Sequence, residues 1–483
     1  METDSSPMRM TNLTKHAGLG VASALLVAVA CGRQEPVSPH GPGGPSSGNV
    51  PPAGSSGTTT VSPPRGAGDT NPAPDLPSTA HVPKDLPLGV SATLYAISVS
   101  VDRVPTPAQI ALGDKLFNDK RVSSDDSTSC ATCHDPKTGF TDHKTTAEGV
   151  KKQKGQRNSP TILNAMFNAT QFWDGRAATL EAQAKLPILN PIEMGQKSPE
   201  DVVAKLQKLP EYADAFKKVF GRDLNYDDLA TAIAAFERTQ FSGDAPFDHY
   251  IMGEEGAIDA AAKRGWALFN GKGRCNTCHA GNAVAPLFSD QKFHNIGIAA
   301  KKQDFPQLAQ EALGIVKSGD QKQIDELAIQ SKFSELGRFL VTKQINDIGA
   351  FKTPTLRNVA ITAPYMHDGS VATLFDVMDH YNKAGVPNPY LDGGMQRLGL
   401  LEPEVDDLVA FMGTLTSNKF AAYGKSELAR MNGMKNTRPS RDTAAALGKK
   451  GDFGDIAPTP DIKVKNPATN GVFGEFELMD GGR

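Results

Sequence analysis

Cys130-Ala-Thr-Cys133-His134 is the stretch of this 483-residue chain that determines its fold class. Two cysteines separated by two residues and followed at once by a histidine are typical of covalent haem attachment, in which both thiols add to the vinyl groups and the histidine ligates the iron. A second copy, Cys275-Asn-Thr-Cys278-His279, lies downstream. One chance match is rare and two are rarer, so the sequence predicts two covalent c-type haems.

Zinc binding and thiol redox chemistry are the alternative uses of a Cys-x-x-Cys pair. A zinc site does not explain a histidine directly after each pair, and a thioredoxin-like site does not need two copies. Haem attachment is therefore the favoured interpretation of both motifs.

The N-terminus has the features of an export signal. The apolar run over residues 17–30 is too short to cross a bilayer but suits a secretory signal peptide. Because Ala28-Val-Ala-Cys31 is similar to a bacterial lipobox, residues 1–31 are expected to be a signal peptide, with a lipid on Cys31. Such an anchor would hold the protein in the periplasm or cell envelope. Ordinary cleavage near Ala30 is the alternative.

Composition separates the folded part of the chain from its ends. Residues 32–85 are rich in Pro, Gly, Ser and Thr and predict a linker, and residues 418–483 predict an irregular tail. The net charge of −3 excludes the basic footprint of a nucleic-acid-binding protein. The intervening length suffices for more than one core.

An internal repeat precedes the two haem motifs. Gly113-Asp-Lys-Leu-Phe-Asn118 and Gly265-Trp-Ala-Leu-Phe-Asn270 share the pattern Gly-x-x-Leu-Phe-Asn. The repeat predicts a mainly α fold of two tandem class I cytochrome c-like domains, at residues 86–245 and 246–417. A polar stretch at about residues 300–335 is expected to be a helical insertion. An amphipathic helix is expected to close each domain, with these apolar residues: Leu229, Ile233 and Phe236, then Val405, Leu408, Met412 and Leu415.

Further motifs surround this repeat, and with the haem motifs they resemble the bacterial di-haem cytochrome c peroxidase family, including its MauG-like subgroup. The resemblance covers roughly residues 86–415. It rests on these stretches: Arg157-Asn-Ser-Pro160, Phe172-Trp-Asp-Gly-Arg176, Glu181-Ala-Gln183, Asn190-Pro-Ile-Glu193-Met194, Thr353-Pro-Thr-Leu-Arg-Asn358 and Ala363-Pro-Tyr-Met-His-Asp-Gly369.

The resemblance implies that the haem on Cys130, Cys133 and His134 is the peroxidatic one. Glu193 and Gln183 match the family's distal acid and amide, and Pro187 matches the proline beside them. A carboxylate there takes a proton from one peroxide oxygen and returns it to the other, and the amide orients peroxide by hydrogen bonding.

Four further positions match the family. Trp173 matches a tryptophan between the haems, with a relay role or, alternatively, core packing. Asn158, Thr362 and Pro364 match the positions that hold a calcium ion through one side-chain oxygen and two backbone carbonyls.

The loop before Arg157-Asn-Ser-Pro160 departs from the family pattern. Members that require reductive activation carry there a histidine that caps the peroxidatic iron, whereas this chain has Val150. Valine cannot ligate iron, which predicts activity without prior reduction. His143 lies on the same loop in a different register and is interpreted as a solvated loop histidine.

The sixth ligand of the second haem, bound by Cys275, Cys278 and His279, is the other departure. Fourteen residues after His367, where many such peroxidases have methionine, this chain has Tyr381, as MauG-like members do. A phenolate is a hard anionic donor that lowers the iron potential. Met378 on the same helical face is the competing ligand, and His380 is a more distant alternative.

The resemblance implies a peroxidase that reduces hydrogen peroxide to water at the first haem, with electrons passed through the second haem from a small periplasmic donor such as a cytochrome c. A MauG-like enzyme that oxidises a protein substrate and a di-haem electron carrier are the alternatives. Family members are often dimers, so a homodimer is among the expected assemblies.

Overall fold

The computed structural model describes residues 82–99, 101–281, 287–302, 304–316, 320–330 and 332–436. The predicted signal peptide, the anchor at Cys31, nearly all of the linker and the tail beyond residue 436 lie outside these ranges. Among the helices of the described ranges, none combines the length and the apolarity that a membrane crossing requires.

The described part of the chain is mainly helical, as the sequence predicts. Its helices are α1 Ala92–Ser98, α2 Pro107–Asn118, α3 Cys130–Cys133, α4 Leu180–Leu189, α5 Pro199–Gln207, α6 Pro210–Phe220, α7 Tyr226–Glu237, α8 Pro246–Ile251, α9 Ala260–Asn270, α10 Phe305–Ile315, α11 Gln321–Ile329, α12 Phe339–Thr342, α13 Leu374–Asn382, α14 Glu402–Gly413 and α15 Ala421–Asn436. Two short strands, β1 Phe293–His294 and β2 Phe351–Lys352, pair antiparallel with Phe293 opposite Lys352.

Helix α2 begins at Pro107, directly after Thr106, and this N-cap residue followed by a proline is a sequence pattern that predicts a helix start. The Thr106 hydroxyl accepts a hydrogen bond from the Gln109 amide at 3.2 Å, and the Gln109 side chain accepts one from the Thr106 amide at 2.9 Å. Pro107 occupies the first helical position, where its missing N–H costs nothing. This capping box fixes the start of the helix that carries the first copy of the repeat.

The glycine of each repeat lies where two helices cross. A Cβ added to Gly113 of α2 would lie 1.9 Å from the carbonyl oxygen of Ala232 in α7. A Cβ added to Gly265 of α9 would lie 1.9 Å from the carbonyl oxygen of Asp407 in α14. Only glycine permits this approach. The repeat therefore builds the same crossing twice, and the predicted closing helices are α7 and α14.

Three hydrophobic clusters fill the described structure. The first packs α2 against α4 to α7 around Phe117 and Ile233, and the second packs α9 against α13 and α14 around Phe269 and Phe411. The third is formed by residues 299–351, including α10 and α11, so the expected insertion is helical and has a core of its own. Trp173 packs against that third cluster.

Residues 418–436 differ from the expected irregular tail. They form a short turn and the helix α15, whose Met431 is completely buried in the second cluster and whose Leu428 packs against Gly413. The glycines at 424 and 433 weaken the helical periodicity in the sequence. Tertiary packing of Met431 and Leu428 stabilises the helix despite that weak local pattern.

Candidate active site

The histidines that end the two Cys-x-x-Cys-His motifs are held by the same contact. His134 Nδ1 lies 3.2 Å from the carbonyl oxygen of Phe140, and His279 Nδ1 lies 2.8 Å from that of Phe288. Burial lowers the pKa of both imidazoles, so they are neutral and Nδ1 donates to the carbonyl. Nε2 of each ring then keeps the lone pair that an iron ligand needs.

The cysteines of both motifs suit covalent attachment of a haem. All four are free thiols and none is fully buried. Burial raises the pKa of Cys130, Cys133 and Cys275, which keeps these thiols protonated. The residues present therefore fit a c-type haem at each motif.

Cys278 lies in a polar cluster with Asp290 and His294, whose ligand atoms are within 4.8 Å of one another. His294 Nε2 lies 2.9 Å from Asp290, and Nδ1 lies 2.6 Å from Asp392. Both imidazole nitrogens are thus engaged by carboxylates. The cluster is a charged network beside the second motif rather than a separate metal site.

Glu193 lies in the loop that folds back over the end of α4. The Met194 amide donates to the Pro187 carbonyl at 3.1 Å, which brings the predicted acid next to the predicted proline. Asn190 Nδ2 donates to Glu193 Oε1 at 2.8 Å and orients the carboxyl group. The sequence separation of these residues is short, so the loop itself sets the position of the acid.

The electrostatic surroundings of Glu193 act on the pKa of its carboxyl group in opposite directions. Burial raises the pKa of its carboxyl group, while the positive charge of Arg176 and the bond from Asn190 act to lower it. Glu193 lies close enough to Cys130 and Cys133 to raise the pKa of both thiols. The predicted acid therefore lies beside the first haem motif.

Arg176 was not singled out as a site residue from the sequence, yet it controls the charge near Glu193. Its guanidinium bonds Asp174 at 2.9 Å and Asp325 of α11 at 2.9 Å, and it stacks 3.6 Å from the ring of Phe172. Asp325 belongs to the insertion. The insertion thus contacts the surroundings of the distal acid.

Gln183 and Pro187 lie four residues apart on α4 and so share a face of that helix. Pro187 has no N–H to donate to the Gln183 carbonyl, which opens the helical hydrogen-bond ladder at this point. Within the described residues the Gln183 side chain has no hydrogen bond, so its amide is available to a ligand.

Val150 packs directly against the backbone of the acid. Its amide donates to the Glu193 carbonyl at 2.9 Å, and its side chain is 2% exposed. A Cβ added to Gly149 would lie 2.3 Å from the same carbonyl oxygen. The loop on which the resemblance places an iron-capping histidine in some peroxidases is thus fixed here with an apolar side chain.

His143 is not the solvated loop histidine that the sequence suggested. Its Nδ1 lies 2.8 Å from the carbonyl oxygen of Ala363, and its Nε2 lies 2.9 Å from the Tyr423 hydroxyl. The interpretation failed because Tyr423 belongs to α15, the helix that the sequence did not predict. His143 ties the first half of the chain to the second.

Trp173 lies at the contact between the two halves. Its indole N–H donates to the Asn158 carbonyl at 2.9 Å, and its own carbonyl accepts from the Lys352 amide at 2.7 Å. The Asn158 amide in turn donates to the His367 carbonyl at 2.9 Å. Backbone hydrogen bonds to both halves therefore fix the position of the indole.

The predicted calcium positions lie in two segments that the bond between the Asn158 amide and the His367 carbonyl joins. Asn158 lies against the segment that contains Thr362 and Pro364, and its side-chain N–H donates to the Lys144 carbonyl at 2.8 Å, which leaves Oδ1 for another partner. The peptide bond between Ala363 and Pro364 is cis.

A second ion-pair network was missed at the sequence level. Glu335 accepts hydrogen bonds from Arg157 at 2.9 Å and from His367 at 2.8 Å, and the His367 ring stacks 3.6 Å from Phe351. Burial would raise the pKa of Glu335, but His367 and Arg157 lower it to about 2. The quoted motifs contain Arg157 and His367, but nothing in the sequence indicates their acidic partner.

Tyr381 of α13 lies beside the second motif. Burial raises the pKa of its hydroxyl group, and the nearby Cys275 and Cys278 raise it further. Met378 is 5% exposed and packs in the second hydrophobic cluster. His380 Nε2 lies 2.9 Å from the Ile296 carbonyl. Of the three candidate ligands of the second haem iron, His380 is thus the one whose Nε2 atom contacts a backbone carbonyl.

Two histidines held by the same carbonyl contact, each at the end of a Cys-x-x-Cys-His motif in a mainly helical fold, fit the class of proteins that bind two c-type haems. The model of the di-haem cytochrome c peroxidase family matches residues 107–256. The chain belongs to the di-haem cytochrome c peroxidase family, a family of enzymes.

Curated relatives and a solved structure support this assignment. Methylamine utilization protein MauG of Methylorubrum extorquens is 39% identical over 318 residues, covering 65% of this chain and 80% of that protein. Cytochrome c551 peroxidase of Pseudomonas aeruginosa is 39% identical over 314 residues, covering 64% and 79%. The crystal structure of a MauG-like protein associated with microbial copper homeostasis has a TM-score of 0.54 and 31% identity, covering 67% of this chain and 93% of that one.

Proposed function

We propose that this protein is a di-haem c-type peroxidase that reduces hydrogen peroxide to water at its N-terminal haem. Residues 86–245 and 246–417 would form the two cytochrome c-like domains, each with one covalent haem. Electrons would come through the C-terminal haem from an external donor such as a small cytochrome c. The observation that carries the proposal is Glu193, an acid of raised pKa beside the first motif.

The side chains around Glu193 suit the movement of a proton within peroxide. A haem held by Cys130, Cys133 and His134 would supply an iron that binds peroxide and exchanges electrons. Glu193 takes a proton from one peroxide oxygen and returns it to the other. Its raised pKa places the carboxyl group nearer to the working pH, and Gln183 hydrogen-bonds the peroxide.

Trp173 and Tyr381 serve the electron path in this proposal. Trp173 relays electrons between the two halves, supported by its bonds to Asn158 and Lys352. Tyr381 would bind the iron of the second haem through its phenol oxygen, supported by its proximity to Cys275 and Cys278. The buried, apolar Val150 supports activity at rest without prior reduction.

A MauG-like oxidation of a protein substrate is the second candidate function. Two observations favour it: the 39% identity to MauG and the tyrosine at position 381. A tyrosine ligand would stabilise higher oxidation states of the second iron, which oxidation of a protein needs and simple electron transfer does not. A protein substrate would then replace the external electron donor.

Three further features complete the proposal. Calcium binds at Asn158, Thr362 and Pro364, for which hard oxygen ligands are suited. The N-terminal signal places the protein in the periplasm, with Cys31 as a lipid anchor. The third feature is a homodimer, which the resemblance to the family makes one of the expected assemblies.

Replacing Glu193 with Gln tests the central role of the acid. Peroxide turnover should fall by about 10²–10⁴-fold, because the amide cannot accept and return a proton. In the wild type, turnover should also fall as the pH drops through the raised pKa of Glu193, because the protonated acid is no longer a base. The turnover and its pH dependence are both measured by peroxide consumption with a reduced cytochrome c as electron donor.

The control is Glu200→Gln on the exposed start of α5, which should change neither quantity. Haem content, measured by absorbance, should be unaltered in both variants. Wild-type turnover by the Glu193→Gln protein would exclude the proposed mechanism.

A further inference from the structure

Glu237, the last residue of α7, is a buried acid that the proposed chemistry does not yet use. The residue is 6% exposed, and its Oε2 atom has no hydrogen-bond partner. Burial raises the pKa of the carboxyl group to about 8, with Arg238 lowering it and Glu181 raising it. A carboxyl group in such surroundings keeps its proton at neutral pH.

Glu237 lies beside the first haem motif. Apart from burial, its charge is the strongest influence that raises the pKa of the Cys130 thiol, ahead of Cys133 and Glu193. The first motif is therefore flanked by two acids, Glu193 and Glu237, and Glu237 has the larger effect on the pKa of Cys130.

A second, partly buried carboxyl group lies near Glu237: the side chain of Glu181 is 23% exposed. Glu181 of α4 accepts a hydrogen bond from Arg238 at 2.5 Å, while its Oε2 atom is buried and has no partner. Glu181 and Arg238 line a cavity of about 290 Å³, together with the exposed Arg103. Glu181 thus lines that cavity and lies close enough to Glu237 to raise the pKa of its carboxyl group.

The proposed reaction needs protons that Glu193 does not supply. The O–O bond breaks by the half-reaction H₂O₂ + 2 H⁺ + 2 e⁻ → 2 H₂O, in which the electrons come from the external donor. Glu193 moves a proton between the two oxygens of one peroxide molecule, so it makes no net contribution. Two protons must therefore reach a buried site from solvent.

We propose that Glu237 is the proton-supplying group of the first haem site, refilled from solvent through Glu181 and the cavity. Glu237 would release its proton to the site during peroxide reduction. Glu181 would take a proton from water in the cavity and pass it on to Glu237. This inference rests on the proposed peroxidase function and adds to it a second acid with a separate task.

The charged and titratable groups that face this pair come from several elements. Arg238 adjoins Glu237 on the same chain segment, Glu181 faces it from α4 and Cys130 from α3. Tyr95 of α1 faces Arg238. Arg238 forms an ion pair with Glu181, and arginine side chains do not titrate near neutral pH, so a proton change around pH 8 belongs to Glu237.

The first measurement is the reduction potential of the first haem against pH, in the holoprotein without peroxide. Reduction removes positive charge from the iron and so favours the protonated acid. In the wild type the potential should therefore fall as the pH rises through the titration of Glu237. The Glu237→Gln variant keeps the size of the side chain but should lose this slope, and Glu237→Asp should restore part of it.

The second measurement is peroxide turnover of the same proteins. Glu237→Gln should lower kcat by about tenfold or more, Glu181→Gln should lower it less, and Glu200→Gln should leave it unchanged. If the wild type consumes no peroxide, the proposed function is wrong. If the wild type is active but Glu237→Gln matches it in both turnover and potential slope, only the role of Glu237 is wrong. Haem absorbance checks that each variant is folded.

Discussion

The residues around Glu193 show how much of a site short motifs can predict. The motif Asn190-Pro-Ile-Glu193 places the acid, and the structure brings it to the end of α4 and close to Cys130. The partners of the arginines were not predictable. Asp325 bonds Arg176 across 149 residues and Glu335 bonds Arg157 across 178 residues, and no local pattern encodes such contacts.

Tyr381 carries the prediction about the second haem. Replacing it with Phe removes the phenol oxygen but keeps the ring, so the second haem should lose its sixth ligand and its low-spin ferric signal. Electron paramagnetic resonance of the oxidised protein measures this change. Met378→Leu is the matched comparison, because it removes the rival thioether from the same helix. A low-spin signal lost in Met378→Leu and kept in Tyr381→Phe would reverse the assignment.

At the scale of elements, local sequence predicted the start of α2 but not the presence of α15. The capping residues Thr106, Pro107 and Gln109 form a strong local pattern that the structure reproduces. Helix α15 contains two glycines and depends on Met431 in the second cluster. Its existence is a consequence of tertiary packing, which also explains why the contact from His143 to Tyr423 was missed.

The repeated glycine makes a testable prediction about stability. Gly265→Ala would place a Cβ 1.9 Å from a backbone oxygen of α14, so the two helices must separate. Overpacking of this kind costs about 1–3 kcal/mol or more. The midpoint of thermal unfolding, followed by helical circular dichroism, should fall.

Gly433→Ala is the control for this change. A Cβ at Gly433 of α15 meets no atom within 4 Å, so alanine should be neutral or stabilise the helix by up to about 1 kcal/mol. Equal unfolding midpoints for Gly265→Ala and the wild type would show that the crossing of α9 and α14 tolerates a side chain.

At the scale of the whole molecule, polar contacts join the two halves of the described structure. Arg357 of the second half donates to the Gly89 carbonyl of the first at 3.2 Å, and its guanidinium is held by a buried pair with Asp248 of its own half, with side chains 3% and 1% exposed. The Arg157 and His367 bonds to Glu335 add a second junction. Breaking a buried pair on one side is costly, so these contacts stabilise the junction between the two halves.

The sequence predicted the mainly helical class and the repeat, because both follow from short local patterns. It did not predict that the insertion has its own hydrophobic cluster or that it contacts Arg176 and Trp173. Those contacts depend on how the two halves meet, which periodicity does not determine. The insertion is therefore part of the surroundings of the proposed site.

Electron paramagnetic resonance of the fully oxidised protein, repeated after one equivalent of hydrogen peroxide, tests the central claim most directly. An open first haem and a ligated second haem predict a high-spin ferric signal beside a low-spin one, with the high-spin signal consumed by peroxide. Val150 provides no ligand that would close the first site at rest. Two low-spin signals that peroxide leaves unchanged would contradict the account and favour an electron carrier or an enzyme that must first be reduced.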